Sequence, residues 1–208
     1  PANRPASSSE STSLRAQPNV NKAALRVSDT PVRVTGRCDL LAAVAEVVVR
    51  RARTADVTTI KSLVDGYAGR VLLAKEIVTL YESVQEFLVV EMAGEVVGCG
   101  ALHVLWADLG EIRTVAVHPR VVGHGVGHAI VGALIDNARA LGLERLFVLT
   151  FEKQFFSRHG FAEIDGTPVE PDVFAAMLRS YDAGVAEFLD LAHVKPNTLG
   201  NVRMLLRL

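Results

Sequence analysis

The sequence lacks most of the features that mark secreted, membrane-spanning or nucleic-acid-binding proteins. It has only two cysteines among 208 residues, and because Cys38 and Cys99 lie far apart, two free thiols in a reducing cytosol are the simplest interpretation. No apolar run approaches the ~20 residues that a membrane span requires. The net charge of −1 leaves no basic excess for nucleic acid, and no cysteine–histidine cluster has metal-ligand spacing. We therefore expect a cytoplasmic protein without a metal ion, a membrane span or a nucleic-acid partner.

The beginning of the chain differs in composition from the rest. It reads PANRPASSSESTS, which is polar, rich in serine and without an apolar period, so we predict that residues 1–38 form a disordered extension. Residues 39–208 are enough for one domain with an ordinary core. No internal repeat divides this region further.

Hydrophobic periodicity predicts a mixed α/β order in this domain. Strands are predicted at residues 46–53, 87–90, 95–105, 112–117, 145–150, from 160 and at 204–208. Helices are predicted after a cap at Thr54 or Asp56, and then over residues 71–84, from 129, over 153–158 and over 171–181. A tight turn at Ala93 and Gly94 makes the second and third strands a hairpin.

Residues 110–130, GEIRTVAVHPRVVGHGVGHAI, combine a strand, a glycine-rich loop and the start of a helix. The strand is β-branched and apolar, and Pro119 ends it because proline cannot donate to a sheet ladder. Gly123, Gly125 and Gly127 follow, and their free backbone N–H groups, beside the positive end of a helix, suit a pyrophosphate. The spacing fits neither the Rossmann fingerprint nor the Walker A pattern.

The segment VHPRVVGHGVGHAI resembles motif A of the GCN5-related N-acetyltransferases (GNAT), in which V-x-P is followed by R/Q-x-x-G-x-G/A around the pyrophosphate of coenzyme A. Together with GCGALHV, RLFVLTFE and FFSRHGF, it is similar to the acetyltransferase domain of N-acetylglutamate synthases, above all the stand-alone actinobacterial form. The resemblance covers roughly residues 47–208. It implies the GNAT acyl-CoA N-acyltransferase fold, which is α/β with a mixed, mostly antiparallel sheet, a splayed central strand pair and flanking helices.

The same resemblance implies an activity and a coenzyme site. The activity is transfer of acetyl from acetyl-CoA to the α-amine of L-glutamate, or of L-glutamine, as the first step of arginine biosynthesis. Pantetheine would contact the main chain of Val115 and Val117, and an amide near Val115 or Ala116 would face the thioester carbonyl as the oxyanion donor. The loop contacts to the coenzyme would be Val122, Gly123, His124, Gly125, Val126, Gly127 and His128.

The acceptor site is predicted from charged residues around the central strand. Glu111 and Arg113 share one strand face because side chains alternate with period two. Glu111 is the candidate general base, and Arg113 the candidate partner of a substrate carboxylate, although the two could instead form a structural ion pair. A second cation is expected at Lys75, with Arg203 and Arg70 as further candidates.

Two departures from the family pattern keep alternatives open. Val122 stands where the family has Arg or Gln, and Phe156 stands where many members have the Tyr that protonates the leaving thiolate. Water or Ser157 would then serve as the acid, and His103 is a rival proton acceptor unless it is simply a core residue. A non-catalytic acyl-CoA-binding sensor of the same fold remains an alternative. The oligomeric state, including a homodimer, also stays open.

Overall fold

The computed structural model describes residues 32–33, 47–68, 72, 75–191 and 201–208. The predicted disordered extension, 1–38, falls almost entirely outside the described residues. Its one described part, Val32–Arg33, forms strand β1, which pairs antiparallel with the next strand. Cys38 and Arg70 also lie outside the described residues. No helix within the described ranges is long and apolar enough to cross a membrane.

Eight strands form one sheet in the order β1-β2-β3-β4-β5-β6-β8-β7. The strands after β1 are β2 Val47–Arg51, β3 Phe87–Met92, β4 Glu95–Trp106, β5 Leu109–Val117, β6 Arg145–Thr150, β7 Ala162–Glu163 and β8 Val202–Arg207. Every neighbouring pair is antiparallel except β5 and β6, which are parallel. This confirms the predicted mixed, mostly antiparallel sheet.

Six α-helices flank the sheet among the described residues. They are α1 Val57–Asp65, α2 Ile77–Glu82, α3 Val126–Ala140, α4 Lys153–Ser157, α5 Pro171–Met177 and α6 Ala183–Phe188. The helix predicted over 171–181 ends at Met177, and α6 was not predicted at all. Asp182 separates the two helices, because its side chain accepts hydrogen bonds from the backbone N–H groups of Gly184 and Val185 and so caps α6.

The helices cover both faces of the sheet. On one face, α3 buries Ile130, Val131 and Leu134 over the central strands. It approaches closely because β4 carries glycine there: a Cβ added at Gly100 would stand 2.6 Å from Ile130 Cγ2. On the other face, α1 and α2 form a second apolar cluster with β3 and β4. Each large apolar side chain buried in these layers stabilises the fold by roughly 1.5–3 kcal/mol.

Two irregularities of β5 open the centre of the sheet. Its pairing with β4 moves from Ala101↔Arg113 to Cys99↔Ala116, which is two residues along β4 but three along β5, so β5 is bulged. Its parallel pairing with β6 covers only three pairs and stops at Glu111↔Phe147. Beyond that pair the two strands are no longer hydrogen-bonded to each other, as predicted for a splayed central pair.

Candidate active site

A cavity of about 130 Å³ lies where β5 and β6 separate. Its walls come from both strands and from the segment leading into α4, and they include Arg113, Thr114, Val115, Thr150 and Phe155. Most of the lining surface is apolar. A cleft of this kind can take an extended chain that hydrogen-bonds to backbone on one side, as expected for pantetheine.

The bulge in β5 centres on Thr114. Its φ of +58° is uncommon for a β-branched residue, and the side chain is buried. Thr114 and Val115 have no register partner on β4, so the regular ladder is interrupted at the wall of the cavity. This places Val115, the predicted oxyanion donor, at the interruption of the ladder. No residue pattern indicated the bulge.

The predicted phosphate loop lies directly before α3. Gly123 and Gly125 have φ of +83° and +79°, and Gly125 is the N-cap of the helix. A Cβ added at either glycine would meet nothing within 4 Å, so these glycines are required by backbone conformation rather than by crowding. The amides of Val126, Gly127 and His128 belong to the first helical turn, which has no carbonyl partners within the helix. The loop therefore presents donors to open space.

Glu111 is buried on β5, one of the two strands that line the cavity. Its pKa is raised to about 7, because desolvation raises it more than the nearby positive charge of Arg113 lowers it. Its Oε2 atom has no hydrogen-bond partner among the described residues. A carboxylate that titrates near neutral pH and keeps one free oxygen is suited to accept a proton. The position of Glu111 therefore fits the predicted role of general base.

Arg113 is held by protein carboxylates. Its Nη1 donates to both oxygens of Asp182 at 3.0 Å, and its Nη2 donates to Glu86 at 3.0 Å. The same Nη1 lies 3.9 Å from Glu111 Oε2. In this structure the guanidinium fork is occupied, so its predicted contact with a substrate carboxylate stays a prediction.

Lys75 belongs to the same charged cluster as Arg113, Glu86, Glu111 and Asp182. Unlike Arg113, it forms no ion pair among the described residues. Its pKa is lowered, first by burial and then by the nearby charge of Arg113, while Glu111 and Asp182 oppose that shift. Burial raises the pKa of Glu187, and Lys75 counteracts it. Lys75 is therefore a partly desolvated ammonium close to the candidate base.

Arg203 lies elsewhere in the network. It donates to the backbone carbonyls of Glu187 at 2.9 Å and of Phe188 at 2.5 Å, and its guanidinium sits 5.3 Å from the centre of the Phe147 ring. These contacts tie β8 to the end of α6. The predicted contact of Arg203 with the acceptor stays a prediction. Its Nη donors have backbone partners, whereas its Nε is buried without a hydrogen-bond partner among the described residues.

The position of the usual tyrosine acid is filled by core packing. Phe156 is buried, and its ring meets those of Phe155 and Phe161 edge to face. His103, the rival proton acceptor, lies opposite Glu111 on β4 and contacts Glu86 Oε1 through Nδ1 at 2.9 Å. Within the described part of the chain, no three metal-ligating side chains group together.

Several residues of the site were missed from the sequence. Glu86 and Asp182 bind Arg113, and Gly184 packs against Glu111 so closely that an added Cβ would stand 2.3 Å from Glu111 Oε2. Tyr67 donates to the carbonyl of Val117 at 2.6 Å. Only Asp182 left a sequence signal, since it precedes apolar residues at helical spacing in the way of an N-cap.

Comparison with known proteins gives consistent matches. The acetyltransferase (GNAT) family model matches residues 66–163. An amino-acid acetyltransferase of Mycobacterium tuberculosis (strain ATCC 25618 / H37Rv) is 69% identical over 162 residues, which are 76% of this chain and 93% of that relative. An uncharacterized N-acetyltransferase of Chlorobaculum tepidum is 34% identical over 126 residues, which are 58% of this chain and 79% of that relative.

Solved structures agree with this result. The crystal structure of Rv2747 from Mycobacterium tuberculosis in complex with CoA and NLQ is 69% identical, with a TM-score of 0.75 over 77% of this chain and 99% of that one. N-acetylglutamate synthase from Neisseria gonorrhoeae, complexed with coenzyme A and N-acetyl-glutamate, is 26% identical, with a TM-score of 0.63 over 80% of this chain and 36% of that one. The splayed strands, the glycine loop and these matches together establish that the chain belongs to the GNAT family of acetyltransferases.

Proposed function

We propose that this chain is an acetyl-CoA-dependent amino-acid N-acetyltransferase that acetylates the α-amine of L-glutamate, or of L-glutamine, as the first step of arginine biosynthesis. One observation carries the proposal: the β5–β6 pairing stops at Glu111, so the opening for the acyl donor begins beside a buried carboxyl group that titrates near neutral pH. The M. tuberculosis amino-acid acetyltransferase, 69% identical, supports it. The same proposal places the enzyme in the cytoplasm.

The coenzyme is held mainly by backbone. The diphosphate binds to the loop amides of Gly123 and of Gly125 to His128, since the amide of His124 already donates to the Val121 carbonyl at 3.2 Å; the helix N-terminus adds partial positive charge. Pantetheine then follows the cavity between β5 and β6 and pairs with the main chain of Val115 to Val117. This arrangement brings the thioester to the bulge at Thr114.

The chemistry is direct transfer between two bound substrates. Glu111 accepts a proton from the substrate ammonium, directly or through one water, and the neutral amine attacks the thioester carbon. The carbonyl oxygen becomes an oxyanion, which the amide at Val115 or Ala116 stabilises. The carbon–sulfur bond then breaks, the attacking nitrogen loses its second proton, and the leaving thiolate takes up that proton through solvent. No side-chain acid is required, which is consistent with the packing role of Phe156.

The acceptor is oriented by the charged cluster around Arg113. Lys75 is available for a substrate carboxylate, because it forms no ion pair among the described residues and is already partly desolvated. Arg113 contributes a second positive charge to the cluster, although it is already ion-paired with Asp182 and Glu86. The amine thereby points towards Glu111.

The experiment that tests this function is a panel of amino-acid acceptors with acetyl-CoA as the donor, read out as acceptor-dependent release of free thiol. We expect glutamate or glutamine to give the highest kcat/KM. Coenzyme binding without turnover of any amino acid would instead identify the protein as a non-catalytic acyl-CoA sensor. A higher rate with peptide N-termini or aminoglycosides would reject the amino-acid assignment and retain the acetyltransferase.

A further inference from the structure

Two histidines touch beside the phosphate loop. His128 lies in the first turn of α3, and His159 lies just after α4; His128 Nδ1 and His159 Nε2 are 2.8 Å apart. Both rings pack on Phe155, with ring centres 4.7 and 5.4 Å away. Phe155 also lines the cleft and lies 3.4 Å from a Cβ added at Gly127, so the three rings connect the loop to the cavity.

A contact of this length fixes how many protons the pair can carry. One of the two facing nitrogens must hold a hydrogen and the other must accept it. The pair can therefore bind one additional proton, at an outer nitrogen, and stay intact, whereas full protonation of both rings would place two hydrogens between the rings. In the singly charged pair, His128 Nε2 is always a donor. The pair is thus a site for one shared positive charge.

The loop has no other cation of its own for a dianionic ligand. No lysine or arginine occurs between Val121 and Ala129, and Arg120 just before it is bound to Glu95. Backbone amides supply only partial charges, while a diphosphate carries two full negative charges. We propose that His128 and His159 form a shared-proton pair that supplies the cation for the coenzyme diphosphate; this rests on the proposed function.

The other charged groups on these elements include Arg158 at the end of α4, whose charge does not change with pH and so cannot make binding pH-dependent. The rest are Glu152 and Lys153 at the start of α4, Glu163 on β7 and His124 in the loop. Lys153 is bound to Glu163, and the His124 ring turns back to the Val122 carbonyl at 3.1 Å. Burial and the neighbouring His128 lower the pKa of His159, which favours the uncharged form of that ring when no ligand is bound.

Proton binding to the histidine pair and diphosphate binding are thermodynamically linked. A bound diphosphate stabilises the protonated pair and raises its pKa, so binding takes up a proton. Affinity is then highest below the pKa of the free pair and falls as pH rises through the pKa of the bound pair. If binding raises the pKa of the pair by one unit, the affinity falls tenfold between low pH and high pH.

The test uses 3′-dephospho-coenzyme A, because the 3′-phosphate of coenzyme A itself titrates near pH 6, whereas a diphosphate diester does not. Calorimetric titrations at pH 5.5–8.5, in buffers of different ionisation enthalpy, give both affinity and proton uptake. We expect the wild-type affinity to fall about tenfold across this range, with uptake of up to one proton. His159→Gln should flatten both, while Arg158→Gln, which removes an adjacent fixed charge, should keep the slope.

The outcomes separate this proposal from the function it rests on. A wild-type slope and wild-type proton uptake in His159→Gln would overturn the shared-proton pair and leave the coenzyme site intact. The same holds if the wild type takes up no proton at any pH, a result that needs no variant to fold. Failure of the wild type to bind either coenzyme at any pH would instead overturn the acetyltransferase site.

Discussion

At the scale of single residues, the proposed chemistry depends on Glu111. Its carboxyl group is buried and its pKa is raised to about 7, because burial outweighs the attraction of Arg113. A base must be deprotonated to act, so kcat/KM should rise with pH and level off above the pKa of this group. Burial disfavours the charged carboxylate, and the raised pKa makes the group a better proton acceptor near neutral pH.

Glu111→Gln tests this role directly. Glutamine keeps the shape of the side chain but cannot accept the proton, so we expect kcat to fall by about 10²- to 10⁴-fold with little change in the KM of acetyl-CoA. The rise of kcat/KM with pH near 7 should also disappear. Glu144→Gln, an exposed change on the same protein, is the matched control and should behave as the wild type. Full activity in Glu111→Gln would mean that another group accepts the proton, and His103, which lies opposite Glu111 on β4, would be the next candidate.

Lys75 gives a second prediction at this scale. Replacing it with methionine removes the charge but keeps much of the length, so we expect the KM for the amino acid to rise by roughly 10- to 100-fold. The KM for acetyl-CoA should not change. Lys61→Met is the control, because Lys61 pairs with Asp65 on the exposed side of α1. Equal effects of the two changes would remove Lys75 from the acceptor site.

At the scale of elements, three parts meet at the cleft: the bulged strand β5, the loop before α3, and α6. Each controls one requirement of the reaction. The bulge interrupts the ladder at Thr114 and Val115, the loop before α3 is the proposed diphosphate site, and α6 packs against Glu111 through Gly184. The elements that provide these features are short and irregular, while the long helix α3 supports them by packing.

Gly125 in the loop and Gly142 after α3 have nearly the same backbone conformation. Gly125 and Gly142 have φ of +79° and +83°, and an added Cβ at either would meet nothing within 4 Å. Glutamate at each position therefore adds similar backbone strain, but only Gly125→Glu places bulk and negative charge in the cradle. We expect Gly125→Glu to abolish measurable coenzyme A binding and Gly142→Glu to retain it. Equal affinities in calorimetry would show that the phosphate lies elsewhere.

The helix α6 prediction uses the close contact at Gly184. In Gly184→Ala the new Cβ must displace the Glu111 carboxyl group, which would otherwise lie 2.3 Å away. We expect a lower kcat and a shifted pH profile, with an unchanged KM for acetyl-CoA. Gly132→Ala in α3, where an added Cβ meets nothing within 4 Å, should leave both as in the wild type. An unaltered pH profile in Gly184→Ala would mean that α6 does not position the base.

At the scale of the whole molecule, burial of Glu111 reduces stability. Its pKa is raised on folding, so the folded state holds the proton that the unfolded state loses, and stability falls as pH rises from the unfolded pKa to about 7. Glu111→Gln removes this loss. We therefore expect the Glu111→Gln variant to unfold at higher denaturant concentration than the wild type at pH 8. The difference between their free energies of unfolding should grow by on the order of 1 kcal/mol for each pH unit up to about pH 7.

The control for this prediction is the same comparison at pH 4.5, where both side chains are uncharged and the two proteins should be similar. Stability that differs by the same amount at both pH values would indicate a packing effect of glutamine. Equal stability throughout would mean that Glu111 has an ordinary pKa. Both results would also weaken its assignment as a base poised near neutral pH.

The sequence predicted what depends on local pattern. The strands of the central sheet, the glycine loop and the start of α3 follow from periodicity and from the conformations open to glycine and proline. The bulge at Thr114 was missed, because it depends on the register of two strands rather than on any residue. The partners of Arg113 were missed because Asp182 and Glu86 lie 69 and 27 residues away in the chain. Helix α6 was missed because it is short and contains glycine.

The central claim is that the loop before α3 and the separation of β5 from β6 together hold acetyl-CoA with its thioester beside Glu111. A crystal structure of the protein with coenzyme A and an amino-acid acceptor tests this most directly. We expect the diphosphate on the amides of Gly123 and of Gly125 to His128, pantetheine between the two strands, and the acceptor amine within reach of Glu111. An empty loop, or a coenzyme bound away from the opening between β5 and β6, would contradict the account.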